Sequence, residues 1–250
     1  MANSSPFHLV FIHGNSSSDK VFEKQAAYFK NRTIITLPGH GDSIPSKVPY
    51  RDYSIDSMKK TILNQCEALE NCVLLGNSLG GHLAIEIAPD LANLKALILF
   101  AAPPLKKPLN IETAFKPVEA LASYFQSSYD EAVLRKNLSV AMYGNAHSEL
   151  LIQDFMRTDP IFREVWTKDA TVNMALTNEA DIIENLSIPV YVIHGKQDPS
   201  TNIEYIRSLK GITKIYEIDE CGHYPSVEQP EKFNAIVEEI LEKGILIKAD

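Results

Sequence analysis

Cys72-Val73-Leu74-Leu75-Gly76-Asn77-Ser78-Leu79-Gly80-Gly81-His82-Leu83-Ala84-Ile85-Glu86-Ile87-Ala88-Pro89 decides the fold of this 250-residue chain. The apolar run 72–75 predicts a buried strand, and 79–88 predicts a helix closed by Pro89, because proline disfavours helical geometry in the residue before it. Between them stands Gly-x-Ser-x-Gly, the pattern of a sharp strand-to-helix turn. The glycines flanking the serine admit a close backbone approach that a Cβ would block. Such a turn lifts the Ser78 hydroxyl to the carboxyl end of the sheet. The helix start then offers free N–H groups and a positive dipole end to developing negative charge. A glycine-rich turn holding an ordinary surface serine would read the same way, so the residues that accompany Ser78 decide between the two.

Outward from this turn, β-branched-rich runs at 7–12, 33–37, 96–100, 190–193 and 215–218 alternate with helical patterns at 19–30, 54–69, 202–209 and 231–242. That alternation, with continuous apolarity in the strands, predicts an α/β fold: a mostly parallel sheet of about six strands, covered by helices on both faces. Ser54 is placed to cap the helix that follows it. After Pro103-Pro104 the alternation stops, and 118–127, 130–142, 148–157 and 161–176 read as helices. Roughly seventy residues is too long for one crossover, which predicts an insertion. The expected division is therefore 1–103 and 181–250 for the two parts of the core and 104–180 for a helical insertion.

A net charge of -8 argues against a nucleic-acid surface, which wants a basic face. No run of about 18 apolar residues exists, so no membrane span is expected, and no basic-then-apolar leader opens the chain. The cysteines, Cys66, Cys72 and Cys221, are odd in number and irregular in spacing, which predicts free thiols in a cytoplasmic compartment. No spaced set of His, Cys or carboxylates marks a metal, and no motif calls for a cofactor.

A serine hydroxyl is a weak nucleophile: it needs a base, and the base needs an orienting acid. His223, in Cys221-Gly222-His223-Tyr224-Pro225, follows the run 215–218 and would sit at the same sheet edge as Ser78. Asp198, in His194-Gly195-Lys196-Gln197-Asp198, follows the run 190–193 at another strand's carboxyl end, where α/β sheets gather ligands. Acyl transfer also needs donors for the oxyanion. The backbone N–H of Leu79 is one; the N–H of Asn15, in the turn His13-Gly14-Asn15-Ser16 after the first strand, is the other. His13 and His40 are expected to brace strand-end turns, with His194 mirroring His13. His82, one helical turn from Ser78, is expected to be packed, as is Cys221; His8 and His147 carry no signal. The insertion would cover the strand ends and line a pocket. Met142, Tyr143, Phe155 and Trp166 are its candidate residues, with Phe125 and Met174, although most of these belong to the insertion's own core.

Phe11-Ile12-His13-Gly14-Asn15, Leu37-Pro38-Gly39-His40-Gly41-Asp42-Ser43, Gly76-Asn77-Ser78-Leu79-Gly80-Gly81-His82, His194-Gly195-Lys196-Gln197-Asp198 and Gly222-His223-Tyr224-Pro225 occur in an order that resembles the α/β-hydrolase superfamily, in its small form with a helical cap. Ser78, Asp198 and His223 follow the superfamily's chain order of serine, acid and histidine. The resemblance covers nearly the whole chain and implies that the superfamily's first two strands are absent. It implies a serine carboxylesterase acting on a small-molecule ester. Enzymes of the superfamily with an aspartate nucleophile differ at Ser78. Ring-fission C–C hydrolases resemble the elbow, but they usually carry a Gly-Pro-Gly where this chain has Ser16-Ser17-Ser18. C–C or lactone hydrolysis on the same residues, and a ligand-binding homologue with negligible turnover, are the alternatives.

Overall fold

The computed structural model describes residues 5–144 and 148–245; His147 lies outside the described residues. Strands β1 (His8–Ile12), β2 (Arg32–Ile35), β3 (Cys72–Asn77), β4 (Leu94–Phe100), β5 (Val190–Gly195) and β6 (Ile212–Ile218) form one sheet. Its order is β2-β1-β3-β4-β5-β6, with every neighbouring pair parallel. Helices α1 (Glu23–Tyr28), α2 (Pro49–Asp52), α3 (Ile55–Cys66) and α4 (Leu79–Ile87) precede β4. Between β4 and β5 come α5 (Ile111–Ala114), α6 (Glu131–Leu138), α7 (Ser148–Arg157), α8 (Pro160–Thr171) and α9 (Glu179–Asn185). Helix α10 (Ile203–Ser208) joins β5 to β6, and α11 (Pro225–Glu228) and α12 (Pro230–Glu239) follow β6.

The sheet is covered on both faces, which explains the unbroken apolar runs. Val10, Ile12, Leu74, Leu97, Leu99 and Val192 pack with Met58 and Ile62 of α3 and Leu83 of α4. Their strand neighbours Leu9, Phe11, Val73, Leu75, Ile98 and Ile193 pack with Phe233 and Val237 of α12 on the other face. The side-chain period of two splits each run between two cores. No helix among the described residues is long and apolar enough to cross a membrane.

Several element ends depart from the sequence expectations for local reasons. The strand expected over 33–37 stops at Ile35, because the Leu37 N–H donates to His13 Nε2 at 3.0 Å and leaves the sheet. The helix expected over 19–30 opens as a 3₁₀ turn, Asp19–Phe22, and ends at Tyr28. Residues 118–127 hold a 3₁₀ helix, Glu119–Phe125, rather than an α-helix. Helix α9 was not expected at all. Ser54 does cap α3, its Oγ accepting the Ser57 N–H at 3.2 Å.

The strand order reverses between β1 and β3: the chain leaves β1 for β2 on one side and returns to β3 on the other. Loops from both strands therefore diverge at one point of the carboxyl edge, the place where open α/β sheets leave a crevice. Glycine makes the close approach possible there. A β-carbon on Gly80 would run into the carbonyl oxygens of Ile12 and His13, and one on Gly76 into the backbone of Gly80 and Gly81. Because the obstacles are backbone atoms in two elements, Gly80→Ala is expected to destabilise the protein by about 3 kcal/mol, the upper end of overpacking penalties. Denaturant unfolding of the variant beside the parent measures this.

Candidate active site

Ser78 is the single residue between β3 and α4. Its φ of 49° and ψ of −118° are sparsely populated for any side-chain-bearing residue, a strain of about 1–3 kcal/mol. Bonds on both sides hold it: its N–H donates to Phe100 O at 2.9 Å, and its carbonyl accepts the N–H groups of Gly81 and His82 at 2.9 and 3.2 Å. Gly14 leaves the room it needs, since a β-carbon there would lie 3.2 Å from Ser78 Cβ.

His223 comes from the loop after β6 and Asp198 from the loop after β5. His223 Nδ1 lies 3.0 Å from Asp198 Oδ2 and 3.1 Å from Ser200 Oγ. Asp198 is 4% exposed yet well supplied with donors. Its Oδ1 accepts the Ser200 N–H and hydroxyl, both at 2.8 Å, and its Oδ2 accepts the Thr201 hydroxyl at 2.7 Å. Burial pushes this carboxyl up, but the His223 charge and these hydrogen bonds prevail and hold it well below the usual range. Burial likewise opposes a charge on His223. The Asp198 carboxylate and its hydrogen bond outweigh that, and the imidazole lies above its ordinary value.

Sequence reasoning missed Ser200 and Thr201, although two hydroxyls closely following an aspartate are the signal of a local turn that caps a carboxylate. It also missed Glu228. Glu228 accepts the backbone N–H groups of Gly222 and Tyr224, both at 2.8 Å, and that of Tyr143 at 2.7 Å. Those bonds clamp the loop on both sides of His223. The His223 N–H donates to Ala141 O at 2.9 Å, and Asn77 Nδ2 donates to His223 O at 3.3 Å, which ties the loop to the elbow.

Leu79 is the first residue of α4, so its N–H has no acceptor inside the helix. Asn15 stands opposite, in the loop after β1. Neutral histidines brace that loop, as their turn positions suggested. His13 Nδ1–H donates to Gly14 O at 2.8 Å, and burial pulls its pKa down to about 4. His40 Nε2 accepts the Ser16 N–H at 3.1 Å, and burial lowers this ring well below the ordinary value too. Beneath them lies Arg163, 0% exposed. Its guanidinium donates to Gln126 O at 2.8 Å and to Ser16 Oγ at 3.3 Å, and stacks over Phe155 at 4.1 Å. Its Nη2 has no hydrogen-bond partner among the described residues, and burial lowers its pKa to about 10.

Ser78, Leu79, Asn15 and His223 share one cavity of about 310 Å³. Most of the rest of its wall is apolar and comes from the helical segment between β4 and β5: Leu105, Leu109, Phe115, Leu121, Trp166 and Leu176. Of the expected pocket residues, Trp166 and Phe125 line it. Met142, Tyr143, Phe155 and Met174 do not. Phe155 is sandwiched between Arg163 and the rings of Tyr124 and Tyr129, 5.5 and 5.1 Å away. Met142 is buried in the core facing α12, and Tyr143 and Met174 are exposed. Phe155 of α7 packs with Leu134 and Leu138 of α6 in the core facing α12, which takes its ring away from the cavity. His82 is packed, as expected, but it also lines the cavity.

A serine held at a strained elbow and a histidine backed by a buried carboxylate, with Leu79 and Asn15 lining the same largely apolar cavity, form a constellation suited to acyl transfer. The model of the alpha/beta hydrolase family matches residues 9–236. The chain is 24% identical to 3-oxoadipate enol-lactonase 2 of Acinetobacter baylyi, over 94% of this chain and 88% of that one. It is 24% identical to the pimeloyl-(acyl-carrier protein) methyl ester esterase of Nitrosospira multiformis, over 91% of each. Among solved structures, the N-acyl homoserine lactonase AidH complexed with N-butanoyl homoserine superposes with a TM-score of 0.83 and 26% identity. That match covers 94% of this chain and 89% of the other. The chain belongs to the alpha/beta hydrolase family.

Proposed function

We propose that this protein is a serine hydrolase of small or medium carboxylic esters, working through an acyl-enzyme on Ser78. The observation that carries the reading is that Ser78 and His223 line one apolar cavity, with Asp198 bonded to the far side of the imidazole. His223 Nε2 takes the Ser78 hydroxyl proton while Oγ bonds to the ester carbonyl carbon. The carbonyl electron pair moves onto oxygen, where the N–H groups of Leu79 and Asn15 receive it. Collapse breaks the bond to the alcohol, which leaves with the proton from His223. Water then gives a proton to His223 and attacks the acyl carbon, and the acid departs as Ser78 recovers its proton. Asp198 holds the tautomer and offsets the imidazolium charge. Residues 104–180 act in this reading as a cap that closes over the acyl or alcohol chain. The three buried free cysteines fit a reducing, cytoplasmic setting.

Lactone opening is the second reading, favoured by the likeness to the two lactonases. A lactone is a cyclic ester, so the steps are the same and the alcohol stays attached to the product.

A fluorophosphonate should add once to the parent protein and not to Ser78→Ala. The same variant should lose about a million-fold in kcat on p-nitrophenyl esters. Labelling of Ser78→Ala, or no labelling of folded parent, would overturn the mechanism. The base must be neutral to accept a proton, so a raised His223 pKa means that activity is lost as pH falls through that raised value. The acid limb of kcat/KM is expected above the ordinary histidine value of about 6.5. Asp198→Asn should move that limb down and cut kcat by about ten-thousand-fold. Glu228→Gln leaves one of two clamping oxygens, and is expected to lower stability by about 1–2 kcal/mol. It should also slow fluorophosphonate labelling while leaving the adduct on Ser78.

A further inference from the structure

His82 and Glu179 form a second histidine–carboxylate pair in the wall of the cavity, and the hydrolytic steps on Ser78 use neither. His82 is four residues beyond Ser78 on the same side of α4, about 6 Å further along the helix axis. It is 4% exposed and lines the cavity. Its Nδ1 lies 3.0 and 2.9 Å from the two carboxylate oxygens of Glu179. Glu179 is fully buried, and its Oε2 also accepts the Leu105 N–H at 2.7 Å. A carboxylate gripping Nδ1 with both oxygens fixes the ring hydrogen there and leaves Nε2 with a lone pair. No hydrogen bond to Nε2 is formed among the described residues, and the walls beside it, Leu105, Phe115 and Leu176, are apolar. An acceptor left open in such a wall rewards a ligand that brings a donor and penalises one that does not.

We propose that His82 is a specificity-determining residue whose Nε2 accepts a hydrogen bond from a hydroxyl or amide N–H of the substrate, with Glu179 as the positioning residue that sets its tautomer. The donor belongs a few bonds from the reacting carbonyl, on whichever arm of the ester lies over α4. This rests on the hydrolase reading above and narrows its substrate class to esters or lactones carrying a hydrogen-bond donor.

The test uses matched esters bearing hydrogen, hydroxyl or methoxyl at one carbon, in one set on the acyl chain and in the other on the alcohol. In at least one set the parent enzyme should favour hydroxyl over hydrogen by about tenfold in kcat/KM, and gain nothing from methoxyl, which only accepts. His82→Phe keeps a ring and removes both nitrogens, and the hydroxyl preference should fall to about one. Glu179→Leu removes both oxygens that hold the ring hydrogen on Nδ1, and the hydroxyl preference should then fall well below that of the parent. A merely structural pair would lower all rates together and leave these ratios unchanged. No hydroxyl preference in either set, or a preference that survives His82→Phe, overturns the proposal. If no ester is turned over and Ser78 is not labelled, the hydrolase reading fails by itself. Calorimetric affinities of the same compounds for Ser78→Ala protein then give the hydroxyl ratio without chemistry. Should either pair variant fail to fold, a long-range proton–nitrogen spectrum of His82 in the parent decides: bare Nε2 supports the proposal, and protonated Nε2 overturns it.

Discussion

Helix α4 starts one residue after β3 ends, and its first turn lies against the carbonyl oxygens that close β1. That contact is possible only because Gly80 brings no side chain to it, and Gly76 in turn lets the end of β3 meet the backbone of the same helical turn. With both ends of the turn fixed by strand and helix, the residue between them has no choice of conformation, and Ser78 takes a positive φ that it would avoid in a free chain. The same contact sets the distance between the Leu79 N–H and the loop carrying Asn15, because that loop continues from the β1 residues against which Gly80 packs. The placement of Ser78 and that of the Leu79 and Asn15 backbone beside it are thus two results of one approach between backbones.

The two sides of the site are built with opposite electrostatics. Around Asp198 the chain gathers donors: two hydroxyls, backbone N–H groups and the imidazole all turn toward one carboxylate, which keeps its charge despite burial. Around the loop after β1 it gathers acceptors on neutral rings and one lone cation. His13 and His40 use Nε2 to receive backbone N–H groups, which needs them uncharged, and burial keeps them so. Arg163 is fully buried below that loop and forms no ion pair among the described residues. Its bonds run to carbonyl and hydroxyl oxygens and to the face of Phe155. Positive charge is therefore buried behind the loop that carries Asn15, and negative charge behind His223.

What the sequence carried legibly was set by local pattern, although the local turn of Ser200 and Thr201 on Asp198 went unread. Six strands and their order of appearance follow from continuous β-branched runs, and the elbow follows from glycine spacing. His223 and Asp198 follow from their place after strands. The pocket was not legible, because a large side chain on an amphipathic helix says only that one face is buried, not what it is buried against. Phe155 and Trp166 are indistinguishable in that respect, yet one faces Arg163 and the other the cavity. Glu228 and Glu179 were missed for a related reason. Each acts on groups brought to it by folding, Glu228 on backbone N–H groups as far away as Tyr143 and Glu179 on a histidine ninety-seven positions away. No window of sequence contains Tyr143 with Glu228, or His82 with Glu179.

The helical segment between β4 and β5 is stitched by hydrogen bonds to the loops that carry Ser200, His223 and Asn15. Phe115 pairs with Thr201, the Lys116 N–H donates to Ser200 O, the His223 N–H donates to Ala141 O, and Asn15 Nδ2 donates to Tyr124 O. Each stitch joins the segment to a neighbour of Asp198, to His223 or to the oxyanion-side loop. Opening this segment would release every one of those loops at once, and it would also strip Phe162, Trp166 and Leu176 from one core of the sheet and Leu138, Leu151 and Phe155 from the other. The segment that holds the loops together is thus also the segment that completes the fold.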